Sequence, residues 1–211
     1  MKNMQNSKNK IVIIDAKLGN LRSIEYKLIK ENYNVKVSSE IEDIMQADKI
    51  ILAGVGHFGK AMENIKILNI LDSLNHKVKV DKTPVFGICL GMQLFSNYSE
   101  EGDCEGLGWI DGEIVKFDFT RESNLRVPHV GWNTINFKKN HKFFDDIPAN
   151  QTYYFTHSYF LRCNNHDEIA QTEYGISFCS VVNKDNIFGT QFHPEKSHKI
   201  GFSLLKNFCN H

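Results

Sequence analysis

The sequence predicts a single α/β domain, in which a mostly parallel central sheet has helices on both faces and an added antiparallel portion. In the first half, short β-branched apolar runs alternate with segments of helical spacing. After Gly102 the pattern changes to short strands joined by turns. A chain of 211 residues suffices for one well-buried core but is short for two domains. We therefore expect a polar N-terminal extension over residues 1–9 and one domain over residues 10–211.

The first half predicts a layered arrangement of strands and crossover helices. A buried strand is expected at residues 10–15, and further strands are expected at residues 34–38, 49–53 and 84–88. Helices are expected at residues 20–31, 60–74 and 90–95. Strands alternating with helices imply right-handed crossovers and a parallel sheet.

The second half predicts a more mixed region wrapped around one edge of that sheet. Short strands are expected at residues 110–119, 133–137, 153–161, 169–172 and 178–182. A last buried strand at residues 187–193 and an amphipathic helix at residues 196–208 close the chain.

Composition argues against several classes of protein. The 25 basic residues balance 25 acidic ones, so no electrostatic attraction to nucleic acid or anionic lipid is expected. The polar N-terminus does not resemble a signal peptide. No apolar run approaches the ~20 residues that cross a bilayer. The 5 cysteines, an odd number without close pairs, fit neither a disulfide framework nor a zinc site. We expect a cytoplasmic protein without metal or cofactor.

Cys89 stands where a predicted strand meets a predicted helix, in the sequence Gly-Ile-Cys-Leu-Gly at residues 87–91. A nucleophile in this setting sits on a strained turn that raises its side chain above the sheet. The helix N-terminus favours the thiolate form of a cysteine, and the amide of Leu90 can receive an oxyanion. The alternative is a buried cysteine beside structural glycines.

His193 and Glu195 follow the last predicted strand, at the edge of the sheet where sites form in α/β proteins. Pro194 keeps the backbone extended, so the two side chains can project together. A carboxylate on one imidazole nitrogen leaves the other nitrogen free to act as a base for Cys89. Taken alone, His-Pro-Glu is most often an ordinary loop. Together with the cysteine it predicts a triad.

The sequence Gly-Val-Gly-His-Phe-Gly at residues 54–59 matches the dinucleotide fingerprint, which leaves a nucleotide-binding oxidoreductase as one alternative. However, it follows the third predicted strand, whereas the fingerprint normally follows the first. A loop beside the cysteine can instead supply backbone amides, around Gly54 and Val55, to a tetrahedral intermediate. Glycine suits a peptide that flips before it donates.

These motifs resemble those of class I glutamine amidotransferases, whose triad is Cys-His-Glu. Residues 87–93 and 192–195 carry that match. Residues 52–56, 128–133 and 154–159 then resemble one subfamily, the glutaminase subunit of imidazole glycerol phosphate synthase in histidine biosynthesis. The resemblance implies hydrolysis of glutamine to glutamate and ammonia, in a heterodimer that passes ammonia to a cyclase barrel (HisF-like).

The resemblance also implies roles for individual residues. Cys89 would attack the carboxamide, His193 would protonate the departing ammonia, and Glu195 would orient His193. The positions that would hold the amino-acid end of glutamine are Gln93, Glu101, Ser158 and Tyr159. The positions that would contact the cyclase are Trp132, Asn133 and Lys196. The alternatives are a solvent-facing Gln93, a solvated Glu101, Ser158 and Tyr159 as ordinary strand residues, and Trp132 in the core.

Some positions depart from the subfamily pattern. Ala53 replaces a proline before the glycine loop, and Val130 replaces a methionine beside Trp132. Residues 105–110 and 195–198 look more like paralogues that supply ammonia for amidination of a surface sugar. That paralogue, and a non-catalytic scaffold that kept the fold, are the alternatives.

Overall fold

The computed structural model of the chain describes residues 9–19, 21–119 and 125–210. The helices are α1 (Arg22–Lys30), α2 (Ile41–Met45), α3 (Phe58–Ile67), α4 (Leu71–Asn75), α5 (Leu90–Gln93) and α6 (His198–Asn210). The strands are β1 (Lys10–Ile14), β2 (Asn34–Ser38), β3 (Lys49–Gly54), β4 (Val85–Cys89), β5 (Tyr98–Ser99), β6 (Cys104–Glu105), β7 (Gly112–Lys116), β8 (His129–Thr134), β9 (Asn136–Phe137), β10 (Thr152–His157), β11 (Tyr159–Cys163), β12 (Glu168–Tyr174), β13 (Ile176–Lys184) and β14 (Ile187–Thr190). All but the last residue of the predicted N-terminal extension, and Asn20 at the predicted start of the first helix, lie outside the described residues.

The strands form a 12-stranded sheet whose main order is β2-β1-β3-β4-β14-β13-β11-β7-β5-β6. The part from β2 to β14 is parallel. From β14 onward the pairing is mainly antiparallel. Strands β8 and β10 form a separate antiparallel ribbon. The predicted α/β fold, with a parallel centre and an antiparallel addition, is confirmed.

Both faces of the central parallel strands are covered, which explains why β1, β3 and β4 are almost continuously apolar. Ile11, Ile13 and Ile51 pack into one hydrophobic cluster, while Val12 and Ile14 pack into another on the opposite face. Alternate side chains of one strand therefore enter different cores. No helix in the described part of the chain is long and apolar enough to cross a membrane.

The long helix predicted over residues 60–74 is wrong, because the chain leaves the helix at Asn69. This residue has a left-handed conformation with φ of 54°. The amide of Asn69 bonds to the carbonyl of Lys66, and the amide of Ile70 bonds to that of Ile65. These bonds are those of a Schellman motif, in which asparagine can replace glycine. Helix α3 therefore ends at Ile67, and α4 begins at Leu71.

The single strand predicted over residues 153–161 is also wrong. Ser158 separates β10 from β11, and the two strands belong to different sheets. The strand predicted over residues 187–193 ends earlier, at Thr190. His193 instead precedes a short 3-10 turn, Pro194–Lys196. Both breaks lie at the carboxyl edge of the parallel strands, where they shape the candidate site.

Candidate active site

Cys89 is the last residue of β4 and immediately precedes α5. Its backbone has φ of 52° and ψ of −111°, a conformation that L-residues rarely adopt and that is found at functional turns. The neighbouring glycines are required by close packing. A Cβ on Gly91 would lie 1.7 Å from the carbonyl oxygen of Leu52, and one on Gly87 would lie 2.6 Å from the Cα of Met92. The predicted strand-to-helix elbow is present, with its strain carried by the cysteine.

His193 and Glu195 form a buried pair past the end of β14. Nδ1 of His193 lies 2.8 Å from Oε1 of Glu195, and the two residues are 2% and 8% exposed. The backbone amide of His193 donates to the carbonyl of Tyr154 at 2.9 Å, which joins the turn to β10. Nε2 of His193 has no hydrogen-bond partner among the described residues. Glu195 therefore holds Nδ1 of His193, and Nε2 remains available to a reacting group.

The pKa of His193 shows that Cys89 and Glu195 both act on it. Burial by itself lowers this pKa, but the nearby Cys89 sulfur and the Glu195 carboxylate outweigh burial and raise it to about 9. The three predicted triad residues are therefore electrostatically coupled. An imidazolium at His193 is favoured at neutral pH when Cys89 carries a negative charge.

The Cys89 sulfur also has two polar neighbours that sequence reasoning missed. Nε2 of Gln191 donates to Sγ at 3.7 Å, and Sγ lies 3.9 Å from the carbonyl oxygen of Thr156. The first contact places a side-chain N–H where it can stabilise negative charge that develops on the sulfur. The signal available in the sequence was the position of Gln191, two residues before His193.

A pocket of about 310 Å³ opens beside Cys89. It is lined by Val55, Gly56, Cys89, Leu90, Gln93, Glu101, Pro128, Thr156, His157, Ser158 and Tyr159. The four residues predicted to hold the substrate are thus brought together at one side of the nucleophile. Thr156, His157 and Pro128 were not predicted as part of the site.

Two of the predicted substrate residues also bond to the protein. Oε2 of Glu101 accepts from the amide of Phe58 at 2.8 Å, at the N-terminus of α3. Nε2 of Gln93 donates to the carbonyl of Tyr159 at 2.9 Å and to Oε1 of Gln191 at 3.0 Å. Neither residue is a solvent-facing side chain, since Gln93 is buried and Glu101 is half-buried. Both are held in place by these bonds before any ligand binds.

The Phe58 contact bears on the nucleotide-binding alternative. In the dinucleotide fold the helix N-terminus after the glycine loop receives a phosphate. Here a carboxylate occupies that N-terminus. A phosphate would meet the negative charge of Glu101, so the arrangement disfavours the dinucleotide interpretation.

The backbone amides predicted to bind the oxyanion differ in whether they already have a hydrogen-bond acceptor. Leu90 is the first residue of α5, so its amide has no acceptor within the helix. The amide of Val55, by contrast, donates to the carbonyl of Leu18 at 2.8 Å. Gly54 pairs with Cys89 in the sheet register, so this loop lies next to the elbow as expected. The Gly54–Val55 peptide plane has to rotate before the backbone amide of Val55 can donate toward the pocket.

The residues predicted to contact a cyclase lie around one exposed surface, here called the docking face. Trp132 is 47% exposed and stacks on His198, with ring centroids 4.7 Å apart. Nζ of Lys196 lies 5.8 Å from the ring centroid of Tyr154. Asn133, next to Trp132, is half-buried on the opposite face of β8 and donates to the carbonyl of Glu173. Tyr154 and His198 belong to this face but were not predicted.

Among the described residues, no group of three or more histidine, cysteine, aspartate or glutamate side chains could hold a metal ion.

Comparison with known proteins identifies the family. The glutamine amidotransferase class-I family matches residues 12–211. The chain is 45% identical over 199 residues to imidazole glycerol phosphate synthase subunit HisH 2 of Methanococcus maripaludis, covering 94% of this chain and 98% of that protein. It is 43% identical over 200 residues to subunit HisH 1 of Campylobacter jejuni, covering 94% and 98%. For HisH of Leptospira interrogans the identity is 41% over 202 residues, covering 95% and 99%.

Solved structures share the fold at lower identity. PurLQS from Thermotoga maritima superposes with a TM-score of 0.70 at 14% identity, covering 96% of this chain and 98% of that chain. A glutamine amidotransferase from Thermotoga maritima gives a TM-score of 0.62 at 14% identity, covering 96% and 81%. The resemblance seen in the motifs thus extends over the whole described domain, and the chain belongs to the class I glutamine amidotransferase family and, within it, to the HisH subunits of imidazole glycerol phosphate synthase.

Proposed function

We propose that the chain is a glutaminase subunit that hydrolyses glutamine to glutamate and ammonia and passes the ammonia to a HisF cyclase. The observation that carries the proposal is the buried His193–Glu195 pair, 2.8 Å apart and electrostatically coupled to the strained Cys89. A scaffold that had lost catalysis would have no need to keep a rare backbone conformation at its cysteine. The cytoplasm is the expected compartment.

The first half-reaction forms a thioester. The Cys89 sulfur attacks the carboxamide carbon of glutamine, and the amides near Leu90 and Val55 receive the oxyanion. As the intermediate collapses, the C–N bond breaks and imidazolium His193 gives its proton to the departing ammonia. The products of this step are ammonia and a γ-glutamyl thioester on Cys89.

The second half-reaction regenerates the enzyme. Neutral His193 removes a proton from water, and the resulting hydroxide attacks the thioester carbon. The carbon–sulfur bond breaks, glutamate leaves, and Cys89 returns to the thiolate paired with imidazolium His193. Glu195 holds Nδ1 throughout, so Nε2 always faces the reaction.

The pocket suits the amino-acid end of glutamine. Glu101 offers a carboxylate for the α-ammonium group. Gln93, Ser158 and Tyr159 line the same space and supply further polar atoms. The volume of about 310 Å³ is at the low end for ligand pockets and fits a small amino acid.

A Cys89→Ala variant tests the proposal in complex with HisF. We expect no glutamine-dependent synthesis, while synthesis from added ammonia continues, because only the nucleophile is lost. Glutaminase activity retained in Cys89→Ala would contradict the assignment.

The final acceptor has a second candidate, a surface sugar that is amidinated by a cyclase-like partner. The observation in its favour is the Trp132–His198 stack, since His198 lies in the segment that resembles those paralogues. Loss of the gene distinguishes the two. Histidine auxotrophy supports the histidine pathway, and prototrophy with an altered surface sugar supports the paralogue.

A further inference from the structure

Two buried histidines that the proposed chemistry does not use lie between the pocket and the docking face. His129 and His157 are partners across the β8–β10 ribbon and are 3% and 6% exposed. Nδ1 of His129 lies 3.0 Å from Nε2 of His157. A buried histidine pair is costly unless each nitrogen has a partner, so its remaining bonds are informative.

The neighbours fix which nitrogen carries each proton. Nδ1 of His157 lies 2.8 Å from the carbonyl oxygen of Tyr159, which can only accept, so this nitrogen donates. Neutral His157 then accepts at Nε2, and His129 must donate from Nδ1. His129 in turn accepts at Nε2 from the side-chain amide of Asn133, at 3.3 Å. Every donor on this side points from the docking face toward Tyr159.

Both histidines are held neutral, as this pattern requires. Burial lowers the pKa of His129 to about 4 and that of His157 to about 3. The orientation of the Asn133 amide is fixed as well, because its Oδ1 accepts from the amide of Thr134 at 2.8 Å.

A second set of bonds continues from the same carbonyl to the nucleophile. The oxygen of Tyr159 also accepts from Gln93 at 2.9 Å. Gln93 donates to Oε1 of Gln191 at 3.0 Å, and Gln191 donates to the Cys89 sulfur at 3.7 Å. We call this continuous chain the relay, and its members in order are Asn133, His129, His157, Tyr159, Gln93, Gln191 and Cys89.

We propose that His129, His157 and Gln191 are positioning residues that couple the docking face to the Cys89 sulfur; this rests on the proposed function. Trp132 and Asn133 are adjacent in β8 and lie on opposite faces of the strand, with Trp132 exposed and Asn133 half-buried. When a partner contacts and displaces Trp132, Asn133 and its hydrogen-bonded neighbour His129 therefore move as well. The buried bonds resist breaking, because a buried polar group without a partner is costly. The movement reaches the Tyr159 carbonyl, whose position determines where the side chains of Gln93 and Gln191 lie relative to the Cys89 sulfur.

The test compares wild type with His157→Phe. Phenylalanine suits the site, because His157 already contacts the rings of Phe117, Phe155 and Phe178. Three quantities are measured: glutaminase turnover of the isolated subunit, turnover in complex with HisF, and the Kd for HisF. The ratio of the two turnovers is the stimulation by the partner. We expect this ratio to fall about tenfold, as for one lost buried bond, while the Kd changes less than about threefold.

His141→Phe is the matched control. His141 is half-buried and accepts from the amide of Phe143, but it has no bond to the relay. Its substitution should lower stability without changing the stimulation ratio. A structural role alone for His157 would lower both turnovers equally and leave the ratio unchanged, which would overturn the proposal.

Two further variants keep the test decisive where His157→Phe does not fold. His129→Phe breaks the relay at the preceding bond, in a position already stacked between Phe155 and Tyr174. Gln191→Met removes the donor to sulfur and should slow alkylation of Cys89 by iodoacetamide about tenfold at neutral pH. An unchanged alkylation rate contradicts the relay. Absence of glutaminase activity in the wild-type complex refutes the proposed function instead.

Discussion

Replacing Gly91 with alanine is the sharpest perturbation of the elbow. The added Cβ would lie 1.7 Å from the carbonyl oxygen of Leu52, 2.5 Å from its carbonyl carbon and 3.2 Å from the amide nitrogen of Ala53. All three are backbone atoms, so no side-chain rotation can make room. An ordinary C···O contact is about 3.3 Å, so α5 and the end of β3 have to separate by roughly 1.5 Å.

That separation acts on the two parts that catalysis needs together. Cys89 lies at one side of the gap, and the Gly54–Val55 loop lies at the end of β3 on the other. A displacement of about 1 Å in a reacting group can cost about a hundredfold in rate. Overpacking by one methyl group costs about 1–3 kcal/mol, or roughly 2–12 °C in Tm for a chain of this size. We expect kcat/KM for glutamine to fall at least about a hundredfold and Tm to fall within that range.

Glutaminase kinetics and thermal melting of the complex measure these effects. The matched control is Gly108→Ala, whose Cβ would meet only the side chain of Asn97, at 3.6 Å. Its φ of 60° costs stability, but the added Cβ would touch neither α5 nor the end of β3, so the variant should keep full activity. Wild-type kcat/KM in Gly91→Ala would refute the argument that this packing holds the nucleophile in register.

Three other substitutions test the site and the fold. Glu195→Gln removes one of the charges that hold the pKa of His193 near 9, where burial alone would lower it. The imidazolium form of His193 persists up to that pH in the wild type, so loss of the Glu195 charge should lower the pKa of His193 and move the alkaline limb of the kcat/KM profile to lower pH. In the same pH–rate profile, kcat should be reduced roughly a hundredfold or more. Glu101→Gln keeps an acceptor for the amide of Phe58 but removes the charge, so KM for glutamine should rise about tenfold with little change in kcat; an unchanged KM excludes the ammonium contact. Lys49→Met strips the donor from two carbonyls at the end of α6 and should lower the free energy of unfolding by about 1–3 kcal/mol, visible in denaturant melts, without altering turnover.

Much of the fold followed from local patterns. The strand at residues 10–15 was predicted closely because a buried parallel strand is a continuous β-branched run. The strand at residues 34–38 was predicted closely because its two valines alternate with polar residues. The predicted helix over residues 60–74 failed at Asn69, because asparagine tolerates helices and left-handed caps alike and the sequence does not decide between them. Ser158 was missed for another reason: both flanking strands are rich in aromatic residues, and only tertiary pairing assigns them to different sheets.

The candidate site was predicted in part because its chemistry is concentrated in short motifs. Cys89, His193 and Glu195 each stand in a distinctive local sequence, so spacing and resemblance both identify them. The relay could not be predicted, because His129 and His157 are 28 positions apart and meet only through the β8–β10 register. The hydrogen bond from the amide of Val55 to the carbonyl of Leu18 could not be predicted either, since a bond between backbone groups does not depend on the side chains that the sequence specifies.

The most direct test of the central claim is trapping of the nucleophile. The complex with HisF is treated with a glutamine-analogue alkylating agent and mapped by mass spectrometry. We expect one adduct per chain, on Cys89, with labelling slowed by free glutamine because both bind the same pocket. Turnover of glutamine without an adduct on Cys89, or an adduct on another cysteine that glutamine protects, would contradict the account.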